Sequence, residues 1–122
     1  MCPFCELPPD RAWVLENEWA VALWDKFPVA PGHALLIPRR HVADYFELSP
    51  EERTACWDLA ARMKAKIDEL HEPDGYNLGI NCGEWAGQTV FHVHIHLIPR
   101  YKGDVMNPRG GVRNVIPGKG DY

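Results

Sequence analysis

The stretch Val90-Phe91-His92-Val93-His94-Ile95-His96-Leu97-Ile98 alternates imidazole with aliphatic side chains from position 92 onward. A period of two marks a β-strand, because successive side chains leave opposite faces of the pleat. His92, His94 and His96 therefore share one face, and Val93, Ile95 and Leu97 share the other, which must meet a core. Pro99 is expected to close the strand. Upstream, Cys82 to Thr89 reads as a glycine-bearing loop, and Tyr76 to Asn81 before it as another strand.

The partner layer for that apolar face comes from the middle of the chain. Ser49-Pro50-Glu51-Glu52 combines an N-cap, a proline at the first helical position and a glutamate spaced for a capping box. Cys56, Leu59, Met63, Ile67 and Leu70 then recur at steps of three and four, which makes one apolar stripe, and Pro73-Asp74-Gly75 ends the helix. Towards the N-terminus, Ala12 to Glu16 and Trp19 to Trp24 form a hairpin about Asn17-Glu18. His33 to Ile37 reads as a buried strand that Pro38 should end. Short connections and one long helix predict an α+β fold, an antiparallel sheet of about five strands with the helix packed on one face.

Composition agrees with a single domain over residues 1–122: 46% of side chains are hydrophobic and 25% charged. No apolar run approaches the roughly 20 residues of a membrane span and no secretory leader pattern is present, so a soluble cytoplasmic protein is expected. The net charge of −4 is unevenly spread: residues 1–98 carry 8 basic and 15 acidic groups, residues 99–122 carry 5 and 2. That pattern excludes a coat for long nucleic acid, which needs a broad basic face. Arg100, Lys102, Arg109, Arg113 and Lys119 instead make a basic tail from about residue 103, expected to be mobile or to meet a small anion.

Two chemistries suit the histidine row. Neutral imidazoles can hold a zinc ion with an open position for water. Alternatively, one ring attacks phosphorus while its neighbours handle phosphate oxygens and protons. The loop Asn81-Cys82-Gly83-Glu84-Trp85-Ala86-Gly87-Gln88-Thr89, with permissive glycines and amide and hydroxyl donors, favours the second. The four cysteines read as thiols rather than disulfide staples. Cys2-Pro3-Phe4-Cys5 has the spacing of half a metal site, Cys56 falls on the helix stripe, and nothing beside Cys82 suggests an activated thiolate. Trp13, Trp19, Trp24 and Trp57 are expected in the core or at a dimer contact, and Trp85 there or stacked on a ligand. His71 suits the helix C-terminus.

Ala86-Gly87-Gln88-Thr89-Val90, the row His92, His94, His96, the segment Ala30-Pro31-Gly32-His33 and the run Ile37-Pro38-Arg39-Arg40-His41 together resemble the histidine-triad superfamily of nucleotide hydrolases and transferases over nearly the whole chain. Thr89 and the exit Pro99 to Asp104 look more like the fragile-histidine-triad branch, whose members cleave dinucleoside polyphosphates. The branch that hydrolyses adenosine phosphoramidates usually has serine at that threonine.

The resemblance implies a hydrolase acting at the α-phosphate through a nucleotidyl-histidine on His94. His96, Gln88 and Thr89 would contact the phosphate, Asn81 would lie near it, His33 would support the row, and Asp25 would hold ribose hydroxyls. It also implies a purine nucleotide substrate, magnesium accompanying a polyphosphate, and a homodimer joined sheet to sheet. In zinc-bearing members, which include the related galactose-1-phosphate uridylyltransferases, the matching residues are Cys2, Cys5, His41 and His92, so a structural zinc is expected. Rival readings are a phosphorylase or nucleotidyltransferase, a zinc hydrolase built on the histidine row, and a nucleotide-binding sensor.

Overall fold

The computed structural model describes residues 2–6 and 13–122. Strands β1 (Leu15–Glu16), β2 (Ala20–Trp24), β3 (Ala34–Pro38), β4 (Gly75–Ile80) and β5 (Ile95–Arg100) form one antiparallel sheet in the order β1-β2-β3-β5-β4, crossed by the single helix α1 (Pro50–His71). The predicted hairpin is present, although Ala12 lies outside the described residues. No helix is long and apolar enough to cross a membrane among the described residues.

The helix starts as its sequence dictates. Ser49 Oγ accepts from the Glu52 amide at 3.1 Å, and Glu52 Oε1 accepts from the Ser49 amide at 2.9 Å, so two otherwise orphaned donors are satisfied reciprocally. The same carboxylate, only 2% exposed, binds Arg40 at 2.8 and 3.1 Å, which ties the chain just before His41 to the helix start. Cys56, Leu59, Met63 and Ile67 meet Ala20, Ala22, Ala34, Leu36, Ile95 and Leu97 in the main core. Leu70 is 58% exposed. At the last turn Ile67 and His71 pack against Gly32 instead, where a β-carbon would lie 3.0 Å from both.

The sheet face away from the helix carries a smaller cluster, Val21, Leu23, Leu35 and Ile37, covered by Phe4. The tail takes a defined course over the far end of this molecule: a 3₁₀ turn at Gly111–Val115 packs beside β4, and Arg109 and Arg113 flank the Tyr122 ring at 5.4 and 4.7 Å.

Strand boundaries differ from the sequence reading by a residue or more, most at the start of β5 and around two prolines. Strand β5 begins at Ile95 rather than Val90, because its ladders with β3 and β4 both stop there. The Val93 amide turns away to Val42 O at 2.8 Å, and His92 Nε2 donates to Pro38 O at 2.8 Å, taking a carbonyl that a longer ladder would use. The facing pattern nevertheless survives: Val93, Ile95 and Leu97 are buried, while His94 and His96 are half-buried on the open side. Pro38 and Pro99 lie inside strands rather than beyond them. Beside Pro38, β3 pairs only with β2, and beside Pro99, β5 pairs only with β4, so a missing N–H costs no ladder bond on the vacant side. Of the tryptophans, Trp24 packs on the core, while Trp13, Trp19 and Trp57 are 40–43% exposed and Trp85 fully exposed.

Candidate active site and metal centre

Three rings of the open face are ordered by main-chain groups. His94 Nδ1 donates to His92 O at 2.9 Å, since a carbonyl can only accept. The neutral His94 ring therefore keeps a free lone pair on Nε2. The Val29 amide donates to His33 Nδ1 at 3.1 Å, so the proton of neutral His33 resides on Nε2, which faces His96 Nδ1 at 3.0 Å and Asp25 Oδ2 at 3.3 Å. With its Nδ1 accepting, His96 carries its own proton on Nε2 and presents a donor. Burial is the main force lowering the His33 pKa. It also brings His96 down to about 4, with the neighbouring His94 and His33 rings acting in the same direction, so both are neutral at pH 7.

These groups border a cavity of about 530 Å³ whose lining includes Asp25, His33, Thr89, His94 and His96 on its polar side and Phe4, Phe27, Val29 and Leu35 on its apolar side. Asp25 Oδ1 accepts from the Phe27 amide at 2.8 Å, which fixes the carboxylate at the rim. Of the predicted substrate residues, Asn81 and Gln88 do not line this cavity. Asn81 lies beside Gly87. Gln88 is 5% exposed; its amide hydrogens go to Ala43 O and Val90 O at 2.8 and 3.1 Å, and its oxygen accepts from the Gly83 amide at 2.9 Å. It braces the loop that delivers Thr89, in which Gly83 and Gly87 both adopt φ of 94°.

On the other side of His94 lies a second cluster. Cys2 Sγ and Cys5 Sγ stand 3.4 and 3.5 Å from His92 Nδ1, and Cys5 Sγ stands 3.3 Å from His41 Nδ1. The four donor atoms all lie within 4.8 Å of one another. A tetrahedral zinc, about 2.3 Å from sulfur and about 2.0–2.1 Å from nitrogen, would separate S and N by roughly 3.6 Å, so the spacing fits. The Pro38 carbonyl holds the His92 proton on Nε2 and turns the Nδ1 lone pair toward the two cysteine sulfurs, as outer partners of metal-bound imidazoles do.

Asp25, His33 and His96 also bring three donor atoms within 4.8 Å. They do not suit a metal: with the Val29 amide on Nδ1, a metal on Nε2 would leave neutral His33 nowhere to keep its proton. Among the described residues the three rings of the row do not bring three donor atoms together; the His92 ring lies with Cys2, Cys5 and His41 instead. The remaining thiols are inert: burial pushes Cys56 up to about 12, and burial with Asp44 nearby raises Cys82. Phe4, Val29 and the Pro38 carbonyl are functional groups that the sequence reading missed. An aromatic side chain between two metal-spaced cysteines was the one local signal.

A five-stranded antiparallel sheet under one helix, with imidazoles on its open face, defines a histidine-triad fold, and solved structures share it. A zinc-bound histidine-triad protein from Mycobacterium smegmatis aligns with a TM-score of 0.75 at 35% identity over 87% of this chain and 79% of that one. The HIT domain model matches residues 9–103, and the chain belongs to that family. Among curated relatives, an uncharacterized HIT-like protein of Mycoplasma genitalium is 38% identical over 104 residues, 83% of this chain and 74% of that protein. A bis(5'-adenosyl)-triphosphatase of Dictyostelium discoideum is 44% identical over 91 residues, 75% of this chain and 61% of that protein.

Proposed function

We propose that this protein hydrolyses nucleotides at the α-phosphate, with dinucleoside polyphosphates as the first substrate class and nucleoside phosphoramidates as the second. The observation that carries the reading is the His94 Nδ1–H bond to its neighbour's carbonyl, which leaves Nε2 as a fixed nucleophile on the cavity wall. Nε2 attacks the α-phosphorus in line, a P–N bond forms, and the P–O bond to the leaving nucleotide breaks. Water then attacks the nucleotidyl-histidine, its oxygen bonding to phosphorus as the P–N bond breaks, which releases the nucleoside monophosphate and restores the ring.

The His96 Nε2–H and the Thr89 hydroxyl donate to phosphate oxygens as charge builds there, each such donor contributing about 2–4 kcal/mol. Gln88 acts on that charge by holding the Thr89 loop, and Asn81 by flanking Gly87. His33 positions His96, and Asp25 receives ribose hydroxyls while Phe27, Val29 and Leu35 receive a purine. A neutral His96 suits a polyphosphate, which leaves as an anion, better than an amine that must take up a proton. The Dictyostelium relative's triphosphatase activity supports the same preference.

A structural zinc on Cys2, Cys5, His41 and His92 belongs to this reading, supported by the donor set and by the zinc-bound mycobacterial relative. Magnesium enters only as counterion to the substrate. The edge strand β4, with no proline or lysine to block pairing and Leu78 39% exposed, supports a homodimer joined along that edge. The test is single-turnover incubation of wild type and His94→Ala with a panel of dinucleoside polyphosphates and adenosine phosphoramidates. Turnover and acid-labile protein-bound nucleotide should appear in the wild type alone; equal rates in both would refute the mechanism.

A further inference from the structure

Residues 2–6 stand between the metal centre and the nucleotide cavity. Cys2 and Cys5 reach the imidazoles of the metal cluster, while Phe4, between them in sequence, packs on Val21, Leu23, Leu35 and Ile37 and lines the cavity beside Pro3. Its ring centroid lies 5.0 Å from that of His94 and 6.0 Å from that of His92. Among the described residues, the main-chain hydrogen bonds of this segment are internal, Cys5 and Glu6 both donating to Cys2 O at 3.1 and 3.2 Å. Its side chains tie it to the body through the two cysteine sulfurs at the imidazoles and the Phe4 ring on the sheet. A bound metal and a bound nucleotide order the same few residues, and whichever arrives first meets the entropic cost for the other.

We propose that Phe4 couples the two sites: metal binding seats its ring as a wall of the nucleotide cavity, so zinc and nucleotide strengthen each other's binding. The proposal rests on the nucleotide reading above. His92 offers a second connection, since its Nδ1 faces the cysteine sulfurs while its carbonyl holds the His94 ring on the cavity wall; Phe4→Ala leaves that path in place, so the variant separates the two. Coupling between sites is reciprocal, so the factor by which AMP tightens zinc must equal the factor by which zinc tightens AMP.

The experiment measures zinc affinity by competition with a chromophoric chelator, with and without saturating AMP, and AMP affinity by calorimetry on zinc-loaded and zinc-stripped protein. Wild type should show the same enhancement, about 5- to 10-fold, in both directions. Phe4→Ala should still bind one zinc per chain yet lose the enhancement, the ratio falling to near 1, and Phe4→Leu, which keeps apolar bulk, should retain part of it. Independent binding of zinc and AMP in the wild type overturns the coupling alone, as does full enhancement in Phe4→Ala. Failure of AMP to bind the zinc-loaded wild type overturns the nucleotide reading and the coupling with it.

Discussion

The two imidazole clusters on the open face use the same side chain for opposite ends, and the difference lies in which backbone group each ring meets. In the cysteine cluster, a carbonyl accepts from His92 Nε2, and Nδ1 is left as a lone pair beside two cysteine sulfurs. In the acidic cluster, an amide fills Nδ1 of His33, so the ring keeps its proton on Nε2 and turns it toward His96. An accepting carbonyl on one ring nitrogen leaves the other as a lone pair, which the proposed function uses for zinc at His92 and for phosphorus at His94; a donating amide, at His33, makes a link in a proton-ordered chain. Three donor atoms within reach of one another are thus insufficient evidence for a metal.

The sharpest break in this comparison comes from His94→Ala, which should reduce kcat/KM for a dinucleoside polyphosphate by about 10³–10⁵-fold and leave zinc content at one per chain. Loss of zinc together with activity would show that the clusters are not separate in role. Next in size, Cys2→Ser should abolish stoichiometric zinc and lower Tm by roughly 10 °C, readable by metal analysis and calorimetry. His33→Ala should reduce kcat about 10- to 100-fold with a much smaller change in KM, since His96 keeps its place but loses the bond that fixes its proton. A dominant KM effect would instead make His33 a binding residue.

The smallest effect is on stability as pH falls. His33 and His96 have folded-state pKa values below the ordinary 6.5, so between pH 6.5 and the folded values the unfolded chain binds more protons, and stability drops as pH is lowered. His96→Asn should flatten that slope down to about pH 4. Glu52 is held below the ordinary carboxylate range, chiefly by Arg40, and its contribution is present above the unfolded value near 4.5 and lost as pH falls through the folded one. Glu52→Gln should therefore lessen the acid-side slope below about pH 4.5, measured as Tm against pH, while Asp68 and Asp104, also held low by Lys64 and Arg100, keep the rest of it.

Much of the architecture was legible because its causes are local. The Ser49–Glu52 box needs three residues, the helix stripe a spacing of three and four, and the burial of Val93, Ile95 and Leu97 an alternation of two. Strand ends were less legible, since a ladder stops where the neighbouring strand stops. Leu70 matched the stripe but is exposed. At the site, five of the residues expected at the substrate border one cavity, yet Gln88 turns its amide inward to hold the loop. Its partners at Ala43 and Val90 are invisible in the loop's own sequence.

The amino-acid sequence by itself determined that a helix would cover an antiparallel sheet, that imidazoles would alternate with buried aliphatic residues leading into its last strand, and that two metal-spaced cysteines stand at positions 2 and 5. Side-chain periodicity and capping depend only on neighbours a few residues away. Tertiary structure decided what each imidazole does, because the location of a ring proton depends on a distant backbone group: the carbonyl that fixes His92 lies 54 residues upstream. It also brought Phe4 onto the His94 ring, between the cysteine cluster and the cavity, a contact between residues 90 positions apart that no local pattern encodes.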